Sequence, residues 1–182
     1  YYSLSQYMQL DEISRRNLEL VRSIRYGTKY GSLISVLDQT ITPMGSRLLQ
    51  HWLLHPLLSI EEITFRQDII QSCIEKSSHL KELRSILKEI GDITRLVTRL
   101  GSLRINPREL ISLKSYLYSA KILQNKLSSF THPQFTVWTQ NMGSFEDIIA
   151  LLEKSINDNP PIPITEGGIF AKGYNPELDE LM

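Results

Sequence analysis

The stretch TPMGSRLLQHWLLHPL, residues 42–57, carries the clearest signals for a helical fold. Thr42 places a side-chain oxygen directly before Pro43, and proline is favoured at the first position of a helix because its missing N–H would have no partner there. The apolar residues that follow recur at helical spacing on one stripe: Met44, Leu48 and Trp52. We therefore predict an amphipathic helix from residue 42 to about residue 54, with Trp52 in the core.

The same helix punctuation recurs along the rest of the chain. Asn106-Pro107 and Asn175-Pro176 repeat the pair of a capping side chain and a proline. Ser59 and Ser144 stand before acidic residues at or near capping-box spacing, and Asp92 follows a glycine that can end the preceding helix. Apolar stripes accompany these starts: Ile63, Ile70 and Ile74, then Leu110, Leu113, Leu117 and Ala120. The sequence therefore predicts a mainly α fold, an irregular domain of many helices.

Two segments break the helical pattern. Residues 1–10 end in an alternating run at 7–10 and are predicted as a short N-terminal strand. Prolines and glycines interrupt residues 159–174, which predicts an extended loop or a short β-hairpin that pairs Ile162 and Ile164 with Ile169 and Phe170. Residues 11–158 form the predicted helical body, and 175–182 begin a further helix. We expect one domain over 1–182.

The charge balance argues against autonomous DNA binding. Lysine and arginine together number 20, and so do aspartate and glutamate, so that no net positive field attracts a polyanion. Basic residues cluster at two places: Arg15, Arg16, Arg22, Arg25 and Lys29, and then Arg95, Arg99, Arg104 and Arg108. Acidic residues stand near enough in sequence to pair with them: Asp11, Glu12, Glu19 and Asp92. Ion pairs within the chain are therefore favoured over phosphate contacts.

Several features bear on where the protein is found. Cys73 is the only cysteine, which excludes an internal disulfide and predicts a buried thiol in a reducing compartment. No apolar run approaches the roughly 20 residues that span a bilayer, and the start lacks a signal-peptide pattern. We expect a cytoplasmic protein without a membrane partner. Because the chain begins at Tyr1 and stops in mid-pattern at Met182, we also expect it to be a piece of a longer protein.

A glycine-rich stretch and a pair of histidines have features of binding sites, but neither meets the full requirements of one. The glycine-rich residues 167–173 lack the glycine, lysine and serine or threonine order of a phosphate loop, so they predict a turn. His51 and His55 are four residues apart and could supply two metal ligands, but Pro56 disfavours helical geometry there and no third ligand is evident. No catalytic, cofactor-binding or metal residue is assigned.

Several longer stretches occur in an order that identifies a family. They are LDEISRRNLEL at 10–20, GSL at 31–33, VLDQTITPMGSRLL at 36–49, WL at 52–53, PL at 56–57, NPREL at 106–110 and EGGIFAKGYNPELDEL at 166–181. Together they resemble the core domain of the MutS family of DNA mismatch-repair proteins. DITRL at 92–96 also fits, although Thr94 replaces a residue that is commonly acidic in the family, which puts a salt bridge from that position in doubt.

The resemblance implies a function for the longer parent protein. Such proteins are dimeric ATPases that clamp around DNA, detect mispaired or unpaired bases and recruit downstream repair factors. ATP and magnesium, mismatched double-stranded DNA and a second copy are therefore expected for the parent. The family's mismatch-reading Phe-x-Glu motif and its Walker ATPase lie outside the matching stretch. The chain would be the core, or lever, segment that precedes the inserted clamp, with 175–182 starting the helix towards that clamp.

The resemblance also implies which residues carry this role. Six residues match the family motifs and are expected to couple the ATPase mechanically to the DNA clamp, none of them catalytically: Arg15, Arg16, Asp38, Arg47, Trp52 and Arg66. The isolated chain is not expected to bind DNA tightly, and no DNA-phosphate contact is assigned. Because part of the core would be missing, we expect exposed apolar surface and a tendency to associate.

Four other interpretations remain open from the sequence, the weakest of which is an enzyme in its own right. The parent could belong to a recombination-related branch of the family. The chain could instead be a stand-alone helical interaction module, which caps and stripes alone would support equally well. An independent DNA-binding domain is favoured by the basic clusters and disfavoured by the neutral net charge.

Overall fold

The computed structural model describes residues 6–161 and 164–181 and is mainly helical, which confirms the predicted fold class. The chain divides into two compact units, Tyr1–Ser77 and Ser78–Met182, each of which is described by itself. The prediction of one domain over 1–182 stays a prediction. No helix in the described part of the chain is long and apolar enough to cross a membrane.

The first unit contains four helices in its described part. They are α1 (Glu12–Asn17), α2 (Leu33–Leu37), α3 (Pro43–Leu54) and α4 (Ile60–Glu75). The predicted caps are confirmed: Thr42 Oγ1 accepts a hydrogen bond from Gly45 N at 3.1 Å, and Ser59 Oγ accepts one from Glu62 N at 3.2 Å. These bonds satisfy amide groups that the first helical turn would otherwise leave without a partner.

The predicted N-terminal strand is reduced to one antiparallel β-bridge, between Tyr7 and Leu57. Met8 N donates to Pro56 O at 2.8 Å, and Leu58 N donates to Gln6 O at 3.3 Å. The part of the prediction that covers residues 1–5 lies outside the described residues. The bridge places the segment before α1 against the segment that follows α3, because each of these short stretches offers the other its free backbone groups.

The apolar stripes of α3 and α4 are not the core of this unit. No residue of α3 is buried, and in α4 only Ser72 is. The isoleucines predicted to form an inner face on α4, together with Ile60, are 38–75% exposed: Ile60, Ile63, Ile70 and Ile74. The helix instead packs through the face that carries Ser72. The expectation of exposed apolar surface is confirmed, whereas the prediction that this stripe faces inward is wrong for the described part of the chain.

Cys73 lies next to Ser72 on α4 and is half-buried rather than fully buried. Burial raises the pKa of its thiol. A thiol with a raised pKa carries less thiolate at neutral pH, and thiolate is the nucleophilic form. Cys73 is therefore less buried than predicted, and its raised pKa agrees with a structural rather than a reactive thiol.

The second unit holds the helices that follow. They are α5 (Ser77–Lys88), which starts at the boundary, α6 (Ile93–Gly101), α7 (Pro107–Leu127), α8 (Pro133–Asn141), α9 (Glu146–Ser155) and α10 (Pro176–Leu181). Leu113, Leu117 and Ala120 of the predicted α7 stripe are buried. The main apolar cluster joins α6, α7 and α9 through four buried residues: Leu96, Leu113, Leu117 and Ile149.

Polar contacts run along the outer side of the α7–α9 pair. Lys121 Nζ lies 2.5 Å from Glu146 Oε1, Tyr118 Oη donates to Glu153 at 2.5 Å, and Lys114 Nζ lies 3.0 Å from Asp158 Oδ1 just past α9. Exposed pairs of this kind contribute little to stability, because solvent screens them. They favour one register between the two helices, while the buried cluster supplies the driving force.

One prediction for the second unit is wrong, and for another the structure favours one of two alternatives. Ser144 does not cap α9, because Phe145 occupies the N-cap position at φ 57° and packs its ring against the apolar cluster. Of the loop and the hairpin predicted for 159–174, the described residues form the loop: Phe170 bridges back to Ile156 at the end of α9, and a 3-10 turn spans Ile164–Glu166. Ile162, the other residue of the predicted pairing, lies outside the described residues.

Candidate functional site

A polar junction in the first unit is formed around Asp38, the residue that directly follows α2. Its carboxylate accepts hydrogen bonds from Lys29 Nζ at 2.5 Å, Thr40 Oγ1 at 2.5 Å and Ser46 Oγ at 2.7 Å. We call these four residues the Asp38 junction. It connects the loop before α2, the link between α2 and α3, and the first turn of α3. One side chain therefore fixes three consecutive segments.

The Asp38 carboxylate stays ionised over a wide pH range. Its side chain is only 8% exposed, although its partner Lys29 is more than half exposed. The hydrogen bond from Lys29 holds the pKa of Asp38 well below its ordinary value, and the bonds from Thr40 and Ser46 act in the same direction. Bonds to an ionised group are shorter and stronger than neutral ones, so the junction is a firm connection.

The loop before α2 is itself held by Glu19. This residue has a left-handed backbone with φ 46°, and its carboxylate accepts from Ser23 Oγ at 3.1 Å and from Ile24 N at 2.5 Å. The carbonyl oxygen of Glu19 accepts from Leu33 N, and that of Leu20 accepts from Ile34 N, each at 2.9 Å. The loop thus supplies acceptors to the first amides of α2, which have none within the helix.

The other end of α3 is joined to α4 by an arginine and a tryptophan. The guanidinium carbon of Arg66 lies 3.9 Å from the centroid of the Trp52 ring. Trp52 is 37% exposed, so the prediction that it belongs to the core is wrong. Its stripe faces Arg66 and open space rather than a packed interior. A cation over an indole at such a site contributes about 0.5–1 kcal/mol.

The three other predicted site residues differ in their surroundings. Arg15 lies on α1, and its Nε is shielded from solvent without a hydrogen-bond acceptor among the described residues. Arg16 is exposed on the same helix, and Arg47 is exposed on α3 directly after Ser46. The six residues thus do not form one cluster. Asp38 and the pair of Trp52 and Arg66 are connected through α3, whose two ends they fix.

Sequence reasoning missed most partners in these interactions. Thr40 follows Asp38 by two residues, a spacing at which an aspartate often accepts from a nearby backbone or side chain, and that signal was available. Lys29 and Ser46 are nine and eight residues from Asp38, and only the fold brings them together. A contact that depends on how a loop folds back follows no regular spacing in the sequence.

The second basic cluster forms an ion pair, but with a different acid than predicted. Arg99 Nε lies 2.9 Å from Glu109 Oε1, and Arg99 also donates to the backbone oxygen of Arg104 at 2.7 Å. Glu109 is the acidic member of a full capping box with Asn106, which starts α7. The side chain of Asp92 accepts from Arg95 N and caps α6. The prediction of ion pairing within the chain is confirmed for Arg99.

No group of three or more histidine, cysteine, aspartate or glutamate residues within 6–161 and 164–181 is placed to hold a metal ion. His51 and His55 do lie together, with ring centroids 4.3 Å apart. However, the backbone of His55 is no longer helical, with φ −134° and ψ 70°. Its Nδ1 lies 3.0 Å from His51 O. This departure from the helix is what the following proline predicts.

Comparison with known proteins gives one consistent family. Residues 13–181 match the family model described as MutS domain III. The chain is 40% identical over 180 residues to the DNA mismatch repair protein MutS of Ruminiclostridium cellulolyticum, covering 99% of this chain and 21% of that protein. For the protein of the same name from Methanothrix thermoacetophila, the identity is 36% over 181 residues, covering 98% and 21%.

A third relative, the DNA mismatch repair protein MutS of Clostridium tetani, is 38% identical over 180 residues, which cover 99% of this chain and 20% of that protein. The chain therefore spans about a fifth of the length of the curated relatives that it matches.

Proposed function

Because the chain belongs to the MutS family, we propose that it is the helical lever of a DNA mismatch-repair ATPase, coupling that ATPase to the DNA clamp without taking part in catalysis. The parent protein would bind ATP and magnesium, act on mismatched double-stranded DNA as a dimer in the cytoplasm, and recruit downstream repair factors. The relatives are named as mismatch-repair proteins, which favours repair over a recombination-related role.

The observation that carries this proposal is the way α3 is held at both ends. At its start, Ser46 donates to the ionised carboxylate of Asp38. At its end, Trp52 lies under the guanidinium of Arg66 from α4. A helix is stiff along its axis, so displacing one fixed end displaces the other. Rigid elements of this kind can transmit a displacement between distant sites when contacts fix them at both ends.

The lever role can be tested in the full-length parent by replacing Arg66. We expect Arg66→Ala to leave mismatch affinity within about threefold and to slow ATP-triggered release of mismatched DNA by roughly 2- to 30-fold, the range that corresponds to 0.5–2 kcal/mol of coupling. Arg66→Lys keeps the charge but loses the planar stack, so it should fall between the two. Stopped-flow release of a labelled duplex measures the effect.

Arg25→Ala is the matched control. Arg25 also lies over an aromatic ring, 5.2 Å from the centroid of Tyr26, but the two residues are neighbours in one loop and join no helices. Its loss should leave release normal. Arg47→Ala belongs in the same series, since Arg47 matches the family motif. If folding, DNA affinity and ATP-triggered release are all normal in the Arg47 and Arg66 variants, these two residues do not couple the sites.

A stand-alone helical interaction module is the second candidate, and the exposed isoleucines of α4 favour it. An apolar strip of this size on a free domain would serve a protein partner. The two candidates predict different polypeptides in the cell. An antibody against this chain should detect a protein about five times its length if it is a MutS lever, as the relatives are. A product of the length of this chain would support the module.

A further inference from the structure

A cavity of about 810 Å³ opens between residues 7–10, α1 and the C-terminal end of α3. One wall is aromatic, because the rings of His51 and His55 face each other and Tyr7 meets both edge-on, at 6.3 and 6.0 Å between centroids. Met8 and Leu10 add apolar surface. A concave site of this volume with mostly apolar walls can enclose a side chain together with part of its backbone.

Arg15 also lines this cavity, and one of its hydrogen-bond donors has no acceptor among the described residues. Its Nε is shielded from solvent, and no oxygen atom among residues 6–161 and 164–181 accepts a hydrogen bond from it. A shielded donor without a partner costs about 1–3 kcal/mol, and more when it belongs to a charged group. The backbone of Arg15 is meanwhile fixed, since Arg15 N donates to Asp11 O at 3.0 Å. The side chain is thus held at the cavity in an unsatisfied state.

The acidic residue that shares the cavity wall with Arg15 already accepts a hydrogen bond. Asp11 is the one carboxylate among the described residues that line the cavity. It accepts a hydrogen bond from Ser14 N at 2.6 Å, and this bond lowers the pKa of Asp11. One oxygen of Asp11 is therefore occupied by the start of α1. None of the described residues that line the cavity accepts a hydrogen bond from Arg15 Nε.

We propose that this cavity receives an acidic side chain from another segment of the parent polypeptide, whose carboxylate binds the guanidinium group of Arg15. Arginine presents its donors as a planar fork that matches a carboxylate. Apolar neighbours of the acidic residue would pack against Tyr7 and Met8. The inference rests on the proposed function, because it takes the chain to be part of a protein about five times longer.

The walls of the cavity favour a protein segment over a phosphate. A phosphate carries more charge and more water, and placing it beside Met8, Leu10 and Tyr7 would strip that water without replacing it. A glutamate or aspartate in an apolar stretch of chain brings one charge for one arginine. Its aliphatic surroundings gain from the same apolar walls.

Site-specific photo-cross-linking in the full-length parent tests the proposal. Met8 lines the cavity and is 46% exposed, so a benzophenone amino acid at this position reports on the occupant. We expect mass spectrometry to find a cross-link to a peptide outside residues 1–182 that contains aspartate or glutamate. Arg15→Gln should reduce its yield at least fivefold. Arg22→Gln, which removes an exposed arginine that does not line this cavity, should leave the yield unchanged.

Charge reversal supplies a second measurement. Arg15→Glu should lower the melting temperature of the parent, and replacing the cross-linked acidic residue by lysine in the same protein should recover at least half of the loss. The proposal is overturned if cross-links stay within residues 1–182, if Arg15→Gln leaves the yield unchanged, or if the double reversal recovers nothing. It is also overturned if inorganic phosphate or duplex DNA abolishes the cross-link in an Arg15-dependent way.

The cross-link is measured without ATP, whereas the lever role is measured by ATP-triggered release. A normal cross-link with normal release in the Arg66 variants would reject the lever role alone. A missing cross-link with impaired release in those variants would reject the cavity proposal alone.

Discussion

Gly91 lies where a side chain would collide with the core of the second unit. A Cβ built on this glycine would come within 2.3 Å of Tyr116 Oη and 2.4 Å of Cζ. Tyr116 packs against the apolar cluster and is only partly accessible, so its ring has little room to move. Glycine is thus required here for close packing between the end of the α5 segment and α7, and not for an unusual backbone angle.

We predict that Gly91→Ala lowers the free energy of unfolding by about 1–3 kcal/mol, the usual cost of forcing extra volume into a packed site. Urea denaturation of the chain measures this change. Gly101→Ala is the matched control, because no atom lies within 4 Å of the position that its Cβ would take and the residue ends helix α6. That variant should be neutral or slightly stabilising. Equal effects at the two glycines would contradict the packing argument.

Leu103 has a strained backbone conformation and a side chain that is almost fully exposed. It adopts a left-handed backbone with φ 55° in the turn between α6 and α7, and it is 91% exposed. A left-handed conformation costs a residue with a Cβ about 1–2 kcal/mol. Glycine avoids that cost but loses about 0.5–1 kcal/mol through the greater freedom of the unfolded chain.

Leu103→Gly should therefore stabilise the chain by up to about 1.5 kcal/mol. Leu103→Ala keeps the Cβ and should change stability little, since the side chain that it shortens contacts mostly water. Thermal denaturation of the two variants side by side separates the backbone effect from the loss of the side chain. A lower melting temperature for the glycine variant would mean that the leucine makes a stabilising contact.

Among the helices, α4 shows most clearly that an apolar stripe need not face the core. Successive residues of an α-helix are rotated by about 100°, so its four exposed isoleucines fall within one narrow strip. They are Ile60, Ile63, Ile70 and Ile74. Ser72, on the opposite side, is the buried residue. Periodicity correctly identified an apolar face, but a stripe carries no information about whether its partner is present.

We expect this strip to cause association of the isolated chain. Ile60→Lys with Ile74→Lys should reduce binding of a hydrophobic dye and shift the chain towards monomer, with helical content unchanged and stability within about 0.5 kcal/mol of the original for each surface change. Sedimentation velocity and dye fluorescence provide the readouts. Gln67→Lys, on the same strip, adds charge while keeping all four isoleucines. If Gln67→Lys acts as strongly as the isoleucine pair, charge rather than apolar area controls association.

For the chain as a whole, electrostatics predicts sensitivity to acid. Hydrogen bonds and nearby cations lower the pKa values of six carboxyl groups: Asp11, Asp38, Glu61, Glu82, Glu109 and Glu146. A carboxyl group whose pKa is lower in the folded state stabilises the fold above its unfolded pKa, about 3.9 for aspartate and 4.3 for glutamate. That stabilisation is lost as the pH falls through the folded pKa.

Stability should therefore be constant from neutral pH to about pH 5 and decline below roughly pH 4.5. Asp38 should contribute most, because its side chain is 8% exposed, whereas those of Glu109, Glu82 and Glu146 are 24%, 57% and 63% exposed and more strongly screened by solvent. Urea midpoints measured at intervals from pH 3 to pH 6 test this, with Asp38→Asn expected to flatten the slope. A slope that Asp38→Asn does not alter would assign the acid sensitivity to other groups.

Local chemistry made much of the fold predictable. Thr42, Ser59, Asp92 and Asn106 each cap a helix as predicted, because a cap joins residues only three positions apart. The mainly α class followed from these caps and from apolar spacing. The family also followed from sequence, since its motifs stand in one order along the chain. Among the site residues, those same motifs indicated Asp38, Trp52 and Arg66 but not what they contact.

What the local sequence could not supply was contact between distant positions. Lys29 reaches Asp38 across nine residues, Arg99 pairs with Glu109 rather than with a nearer acid, and Arg66 covers a tryptophan assigned to the core. Phe145 replaced Ser144 as the cap of α9 because burying its ring outweighed the missing cap bond. Such choices depend on the summed packing of segments that lie far apart in the chain. Residue types and their spacing set which helices form; three-dimensional packing set which of their faces are covered and which side chains meet.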